Sequence, residues 1–219
     1  MKPIELLVRS PRWDRATQKA FRAHLAKNMR DAARLEYCRR KADFMMSGGS
    51  KRGALTLITW ALATFTKVER RDRGLALSTH AQLLEELGDF AAAATAEHAA
   101  GKADRSFAAS STHEARALLR ASKLVATPEV QRLERRVARD PSARAVAADA
   151  VWRHAILAFC AVARRQPTRA RTHARQALAL AADGATDFER WIAKHRRIRL
   201  PAVDLKPREL AALARIAGL

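Results

Sequence analysis

The chain has 219 residues, enough for one compact domain or one helical solenoid. Hydrophobic residues make up 48% and aromatic residues 5%, which excludes wholesale disorder, and the excess of alanine and leucine favours an all-α fold. The net charge of +20, from 42 basic and 22 acidic residues, excludes a neutral surface and favours an acidic partner such as nucleic acid, an acidic protein or an anionic membrane.

The cellular setting is indicated by the cysteines and by the apolar runs. Cys38 and Cys160 each stand in an apolar helical stretch, as expected of small core residues in a reducing compartment. No apolar run reaches 18 residues, so no membrane span is predicted. The N-terminal apolar stretch is short and contains Glu5, unlike a signal peptide. We therefore expect a cytoplasmic protein.

The N-terminal third predicts helices separated by one clear break. Apolar residues alternate over a strand's length only at 4–8. Ser10 and Pro11 predict the cap and first position of a helix. Apolar residues then recur at spacings of three and four from Phe21 to Met45, forming one long helix or two that are broken near Asn28. The sequence Ser-Gly-Gly-Ser at 47–50 ends this stretch.

The middle of the chain predicts paired helices with short connections. A second helix covers about 52–68, and a charged connector follows at 69–73. A third helix covers 74–87, where Gly88 ends it and Asp89 caps the next. Two glycine- or polar-rich breaks follow, Gly101 and the linker 104–111. The later helices are expected at 112–126, 128–139, 143–164, 168–182 and 186–198, with a last one starting at Lys206-Pro207.

A set of small residues recurs around three of the predicted turns. Each set has separations of seven, five and seven residues, and the second lies 39 residues after the first. The sets are Ala42, Gly49, Ala54 and Ala61; Ala81, Gly88, Ala93 and Ala100; and Ala158, Arg165, Ala170 and Ala177. Small side chains let paired helices approach, and the turn glycine releases the chain into the second helix. The pattern predicts about four stacked hairpins, of which the unit at 112–140 lacks the small residues.

The stretch 87–93 (Leu-Gly-Asp-Phe-Ala-Ala-Ala) resembles the turn of the tetratricopeptide-repeat family. The resemblance implies an α-solenoid whose concave surface binds peptides or proteins, without catalysis. The chain departs from the family in its longer period, in Leu77 where an aromatic is usual and in Arg105 where proline is usual. Longer hairpins of the HEAT type and an irregular helical bundle therefore stay open.

The stretch 205–214 resembles the first helix of LuxR-type helix-turn-helix domains, which begin with Leu-x-Pro-Arg-Glu. No recognition helix follows it in the sequence, so we expect a helix that caps the repeat rather than one that reads DNA. The predicted organisation is an N-terminal arm at 1–11, a hairpin-repeat domain at 12–182 and capping C-terminal helices at 183–219.

No motif for catalysis, a cofactor or a metal is found. The histidines have no metal-binding spacing with a cysteine or carboxylate, although His80 and His98 could meet across a hairpin. The loop 47–53 lacks the spacing of a phosphate-binding loop and has no preceding strand. Glu85 and Glu86 point about 100° apart on a helix and form no acid–base pair. The sequence therefore predicts a protein that is not an enzyme and takes no cofactor.

Clustered basic residues are the strongest functional signal. Arginine binds carboxylate and phosphate through its planar fork, so these clusters are the predicted partner-binding residues. They are Arg34, Arg39, Arg40, Lys41, Arg70, Arg71, Arg132, Arg135, Arg136, Arg139, Arg164, Arg165, Arg169, Arg196 and Arg197. The leading prediction is a scaffold protein that binds an acidic protein or peptide. The alternative is a helical protein that contacts the phosphate backbone of nucleic acid.

Overall fold

A computed structural model describes the chain over residues 3–27, 29–104, 110–141, 146–184 and 205–219. Every regular element in these ranges is an α-helix, which confirms the all-α class. The chain divides into two compact units, residues 1–107 and 108–219. The division falls inside the segment 12–182 that the sequence predicts as one repeat domain. The predicted helix at 186–198 and the predicted cap Ser142 lie outside the described residues.

Six described helices belong to the first unit. Their bounds are α1 (Pro3–Arg9), α2 (Arg15–Leu25), α3 (Asp31–Ser47), α4 (Lys51–Thr64), α5 (Arg70–Glu86) and α6 (Phe90–Ala103). Helices α3 and α4 pack as one hairpin and α5 and α6 as another, while α4 packs on α5 and α1 on α3. The core of this unit is built around Phe21, Leu35, Met45 and Ile58, all of which are fully buried or nearly so.

Several predicted helix ends in this unit are wrong. The alternating segment 4–8 belongs to α1, where Ile4 and Val8 lie one turn apart and are both buried. Helix α2 starts at Arg15 rather than at Pro11, because the Asp14 carboxylate accepts the Thr17 N–H at 2.8 Å. The charged connector 69–73 is mostly the first turn of α5, and α6 continues through Gly101 to Ala103. Of the two alternatives for Phe21 to Met45, one long helix or two, the structure has two, since α2 ends at Leu25 and α3 begins at Asp31.

Lys41 explains why the chain stays non-helical after Ser10. Its side chain is fully buried, and its Nζ donates to the carbonyl oxygens of Leu7 and Arg12 at 2.8 Å and 2.9 Å and also to that of Ser10. Burial lowers the pKa of Lys41 to about 8, so the ammonium remains protonated at neutral pH. One cation thus satisfies three backbone carbonyls between α1 and α2.

The three turns that the small-residue sets predicted share one geometry. The second residue after each helix has positive φ, which is +84° at Gly49, +86° at Gly88 and +55° at Arg165. Its N–H bonds the carbonyl three residues back, and the next N–H bonds the carbonyl five residues back at 2.8–2.9 Å. This is the Schellman arrangement that closes a helix. The alanines of the three sets are all buried beside these turns.

Five described helices belong to the second unit. They are α7 (Ser110–Ala121), α8 (Pro128–Ala138), α9 (Ala147–Ala163), α10 (Pro167–Asp183) and α11 (Pro207–Ala217). Helix α9 is central, because it packs on α7, α8, α10 and α11 and is buried along most of its length. The core gathers around Trp152, Ile156 and Phe159, with Leu213 of α11 fully buried against them.

Helix α11 is held by a buried ion pair. Both oxygens of Glu209 bind Arg120 of α7, at 2.9 Å to Nε and 3.3 Å to Nη2. The Arg120 guanidinium also lies 4.8 Å from the centre of the Trp152 ring. Glu209 Oε2 accepts the N–H of Lys206 at 2.8 Å as well, and so closes the first turn of its own helix. The glutamate of the Leu-x-Pro-Arg-Glu stretch therefore fastens α11 to the second unit.

We expect Gly88→Ala to destabilise the first unit and Arg165→Gly to stabilise the second. A β-carbon at Gly88 would meet no atom within 4 Å, so the loss of about 1 kcal/mol comes from the positive φ alone. Glycine at 165 removes the cost of the positive φ, but it also raises the entropy of the unfolded chain. The free energy of unfolding should therefore rise by only about 0.5 kcal/mol. Urea unfolding followed by circular dichroism measures both changes. Equal stability of all three proteins would contradict the shared geometry.

We expect Glu209→Gln to lower the free energy of unfolding by about 3 kcal/mol, because it takes a carboxylate charge away from a buried guanidinium. Replacing both partners, as Arg120→Met with Glu209→Leu, should cost clearly less than the single change, since no charge then stays buried. Urea unfolding of Arg120→Met alone, Glu209→Leu alone and the double variant completes the cycle. A purely additive result would show that the pair is not coupled.

Candidate anion-binding surface

Helix α8 presents one apolar face and one arginine face. Val130, Leu133 and Val137 recur at three and four residues and are buried. The predicted arginines of this helix fall on the remaining positions, and all are exposed. They are Arg132, Arg135, Arg136 and Arg139. The sequence period thus places these four side chains in solvent, as predicted.

Glu134 brings a second predicted cluster to the same helix. Its side chain is buried, and its carboxylate lies 2.7 Å from Arg164 Nη2 and 2.9 Å from Arg169 Nη2. Both arginines stand at the turn between α9 and α10, where Arg165 is also exposed. One cluster therefore lies on the exposed face of α8, and the other lies on the turn that pairs with the buried face of α8 through Glu134. We call the combined set the Glu134 surface: Arg132, Arg135, Arg136, Arg139, Arg164, Arg165 and Arg169.

Positive charge on the Glu134 surface is largely uncompensated. Within the described ranges, no acidic side chain lies within ion-pair distance of Arg135, Arg136 or Arg139. Arg132 pairs with Glu129 at 3.1 Å, but both side chains are more than half exposed, so water screens this pair. Exposed guanidinium groups that share few carboxylates attract anions from solution.

The predicted cluster in the first unit is mostly neutralised. Arg39 binds Glu36 at 2.8 Å and Asp43 at 3.1 Å, both on its own helix. Arg40 binds both oxygens of Glu5 on α1, the shorter distance being 2.9 Å. These guanidinium groups have counter-charges already, so they contribute less to an anion-binding surface than the sequence predicts.

Lys41 requires a correction. The sequence predicts it on the partner-binding surface, but it is fully buried and its three donors are used by backbone carbonyls. Arg70 and Arg71 are exposed, yet they stand in the first turn of α5, where the helix dipole disfavours positive charge. Arg196 and Arg197 lie outside the described residues.

Two histidines meet in the second unit, though not the pair that the sequence singled out. His154 of α9 and His173 of α10 approach to 3.2 Å between their Nδ1 atoms. Burial lowers the pKa of His154 to about 4 and also lowers that of His173, so both are neutral at pH 7. His80 instead contacts Thr59 at 3.1 Å. No group of three potential metal ligands occurs in the part of the chain that the structure describes.

The remaining candidates for chemistry are occupied or buried. Burial raises the pKa of Cys38 to about 12 and that of Cys160 to about 11, so neither thiol ionises near neutral pH. Lys51 of the glycine-rich loop lies 2.6 Å from Glu86, which leaves its ammonium paired. Among the described helices, none is both long and apolar enough to cross a bilayer.

A pocket in the first unit was missed by the sequence analysis. It has a volume of about 140 Å³ and is lined by Arg22, Leu25, Ala26, Arg34, Trp60 and Phe65. These residues come from α2, α3 and the end of α4, and only Arg34 was a predicted contact. Their positions in sequence give no common pattern, because the pocket forms where three helices meet.

Comparisons with known proteins find a similar fold but no sequence family. No protein-family model and no curated protein matches the sequence. Among solved structures, the crystal structure of BtubC (BKLC) from P. vanneervenii is similar with a TM-score of 0.51. The two sequences are 18% identical, and the alignment covers 100% of this chain and 85% of that one.

Proposed function

We propose that the chain is a non-enzymatic interaction protein whose basic helical surface binds an acidic protein or peptide. The observation that carries the proposal is the Glu134 surface: seven exposed arginines on α8 and on the turn between α9 and α10, two of which pair with the buried carboxylate of Glu134. Carboxylates match the planar fork of arginine in charge and in geometry. The proposal assigns no reaction and no cofactor to the chain.

The helical architecture supports an interaction role. Three hairpins close through the same turn, at Gly49, Gly88 and Arg165, as expected for a divergent tetratricopeptide-like repeat. Helical-repeat proteins use extended surfaces rather than enclosed pockets for binding. We propose that this chain is of that kind and that it acts in the cytoplasm.

The alternative partner is nucleic acid, since phosphate oxygens also bind arginine. The same exposed guanidinium groups favour this alternative. Stacking on bases would need exposed aromatic rings, but Trp152 of the second unit is buried in the core. Phosphate-backbone contact would therefore supply most of the affinity, and it would weaken steeply with salt. We rank the acidic protein or peptide first.

The proposal is tested with fluorescein-labelled poly-glutamate and the triple variant Arg135→Gln, Arg136→Gln, Arg139→Gln. We expect affinity to fall about tenfold, because each exposed charge pair contributes on the order of 0.5 kcal/mol. Fluorescence anisotropy at 20 mM and 150 mM salt measures the change. A matched control, Arg15→Gln with Arg30→Gln and Arg52→Gln, removes equal charge from exposed positions in the first unit and should have a smaller effect.

A labelled DNA duplex of 20 base pairs is titrated at the same salt concentrations. Tight binding of the duplex without binding of poly-glutamate would support the nucleic-acid alternative and contradict the first proposal. Equal losses for the triple variant and its control would show that net charge, rather than the Glu134 surface, determines binding. Absence of binding to both probes at 20 mM salt would overturn both proposals.

A further inference from the structure

The pocket in the first unit combines an apolar interior with two cationic side chains. Leu25 and Phe65 are almost fully buried in its wall, and the Trp60 and Phe65 rings meet edge to face with centres 5.4 Å apart. Its volume of about 140 Å³ is close to that of engineered cavities that bind benzene, about 150 Å³. The pocket can therefore hold one phenyl or isobutyl group.

Two arginines lie against the aromatic walls of this pocket. The Arg22 guanidinium carbon is 5.1 Å from the centre of the Trp60 ring, and that of Arg34 is 5.9 Å from the centre of the Phe65 ring. Attraction between a cation and an aromatic face at these distances helps to hold each guanidinium beside the pocket. The two cations make the mouth of the pocket favourable for an anion.

Arg34 is poorly satisfied by the protein itself. Its Nη1 lies 3.5 Å from Asp31, and its Nη2 lies 3.5 Å from the Lys27 carbonyl, both at the outer limit of a hydrogen bond. Its buried Nε has no hydrogen-bond partner. About a quarter of the side chain is exposed, so a carboxylate at its Nη groups could form shorter bonds than the two that the protein supplies.

We infer that this pocket holds one leucine or phenylalanine side chain of an acidic peptide, with a flanking carboxylate of that peptide on Arg22 and Arg34. This inference rests on the proposed function and names a site for the same class of partner. The apolar side chain fills the cavity between Leu25, Trp60 and Phe65, and the carboxylate binds the Nη groups of Arg34, whose bonds within the protein are long. Acidic segments without an apolar residue would not use the site.

The test compares two labelled peptides, Glu-Glu-Phe-Glu-Glu and the same peptide with alanine in place of phenylalanine. We expect the phenylalanine peptide to bind the wild-type chain about tenfold more tightly at 150 mM salt. Ala26→Leu should fill the pocket without changing charge, and Ala26 is exposed with helical φ and ψ, so the fold should tolerate leucine. The ratio of the two dissociation constants should then fall from about ten to about one. Arg34→Gln should lower this ratio as well.

Arg52→Gln is the matched control, since Arg52 is exposed on α4 and does not line the pocket. It should leave the tenfold preference unchanged. If both peptides bind equally well to the wild type, the pocket inference fails and the proposed function stands. If the preference persists in Ala26→Leu and in Arg34→Gln, the preference arises elsewhere and the inference also fails. If neither peptide binds even at 20 mM salt, the proposed function itself fails.

Discussion

Close packing of helices through alanine is the constraint on which the rest of the structure depends. Ala42, Ala61, Ala81 and Ala158 are buried at helix crossings, where a larger side chain would push the helix axes apart. An alanine methyl contributes only about 0.8 kcal/mol on burial, so such a core supplies little of the free energy that fixes helix ends. Backbone hydrogen bonds at the turns compensate, because each Schellman turn satisfies carbonyls that a helix end leaves open.

Buried cations fix the position of the first and last described helices. Lys41 binds three carbonyls around the segment that joins α1 to α2, and Arg120 binds Glu209 on α11. Removing a cation from water is costly, so these sites are stable only because nearly every donor finds an acceptor. Among the described residues, five acidic side chains are buried but only these two basic ones, so burial leaves the surface at least as basic as the net charge of +20. Arg39 and Arg40 of the first unit are likewise committed to neighbouring carboxylates.

Local patterns predicted what depends on local geometry. The arginine face of α8, its start at Pro128 and the turn at Gly88 follow from helical period and turn chemistry, and the structure confirms each. The start of the first predicted helix at Pro11 was wrong because Asp14 competes as a cap and Lys41 binds the Ser10 carbonyl. Local sequence patterns cannot predict this contact, because Lys41 lies 31 residues from Ser10. The pocket between α2, α3 and α4 was not predicted for the same reason, since Arg22 and Trp60 are far apart in sequence and come together only in the fold.

Arg165 shows how the turn and the Glu134 surface are coupled. Its position corresponds to Gly49 and Gly88, where glycine adopts positive φ without a side-chain clash. An arginine at φ +55° costs on the order of 1 kcal/mol, and no hydrogen bond of its side chain in the described residues offsets this cost. What the arginine adds is an exposed cation between Arg164 and the start of α10. We interpret the strained turn as stability exchanged for charge on the surface that we propose as the binding site, since backbone strain concentrates at functional sites.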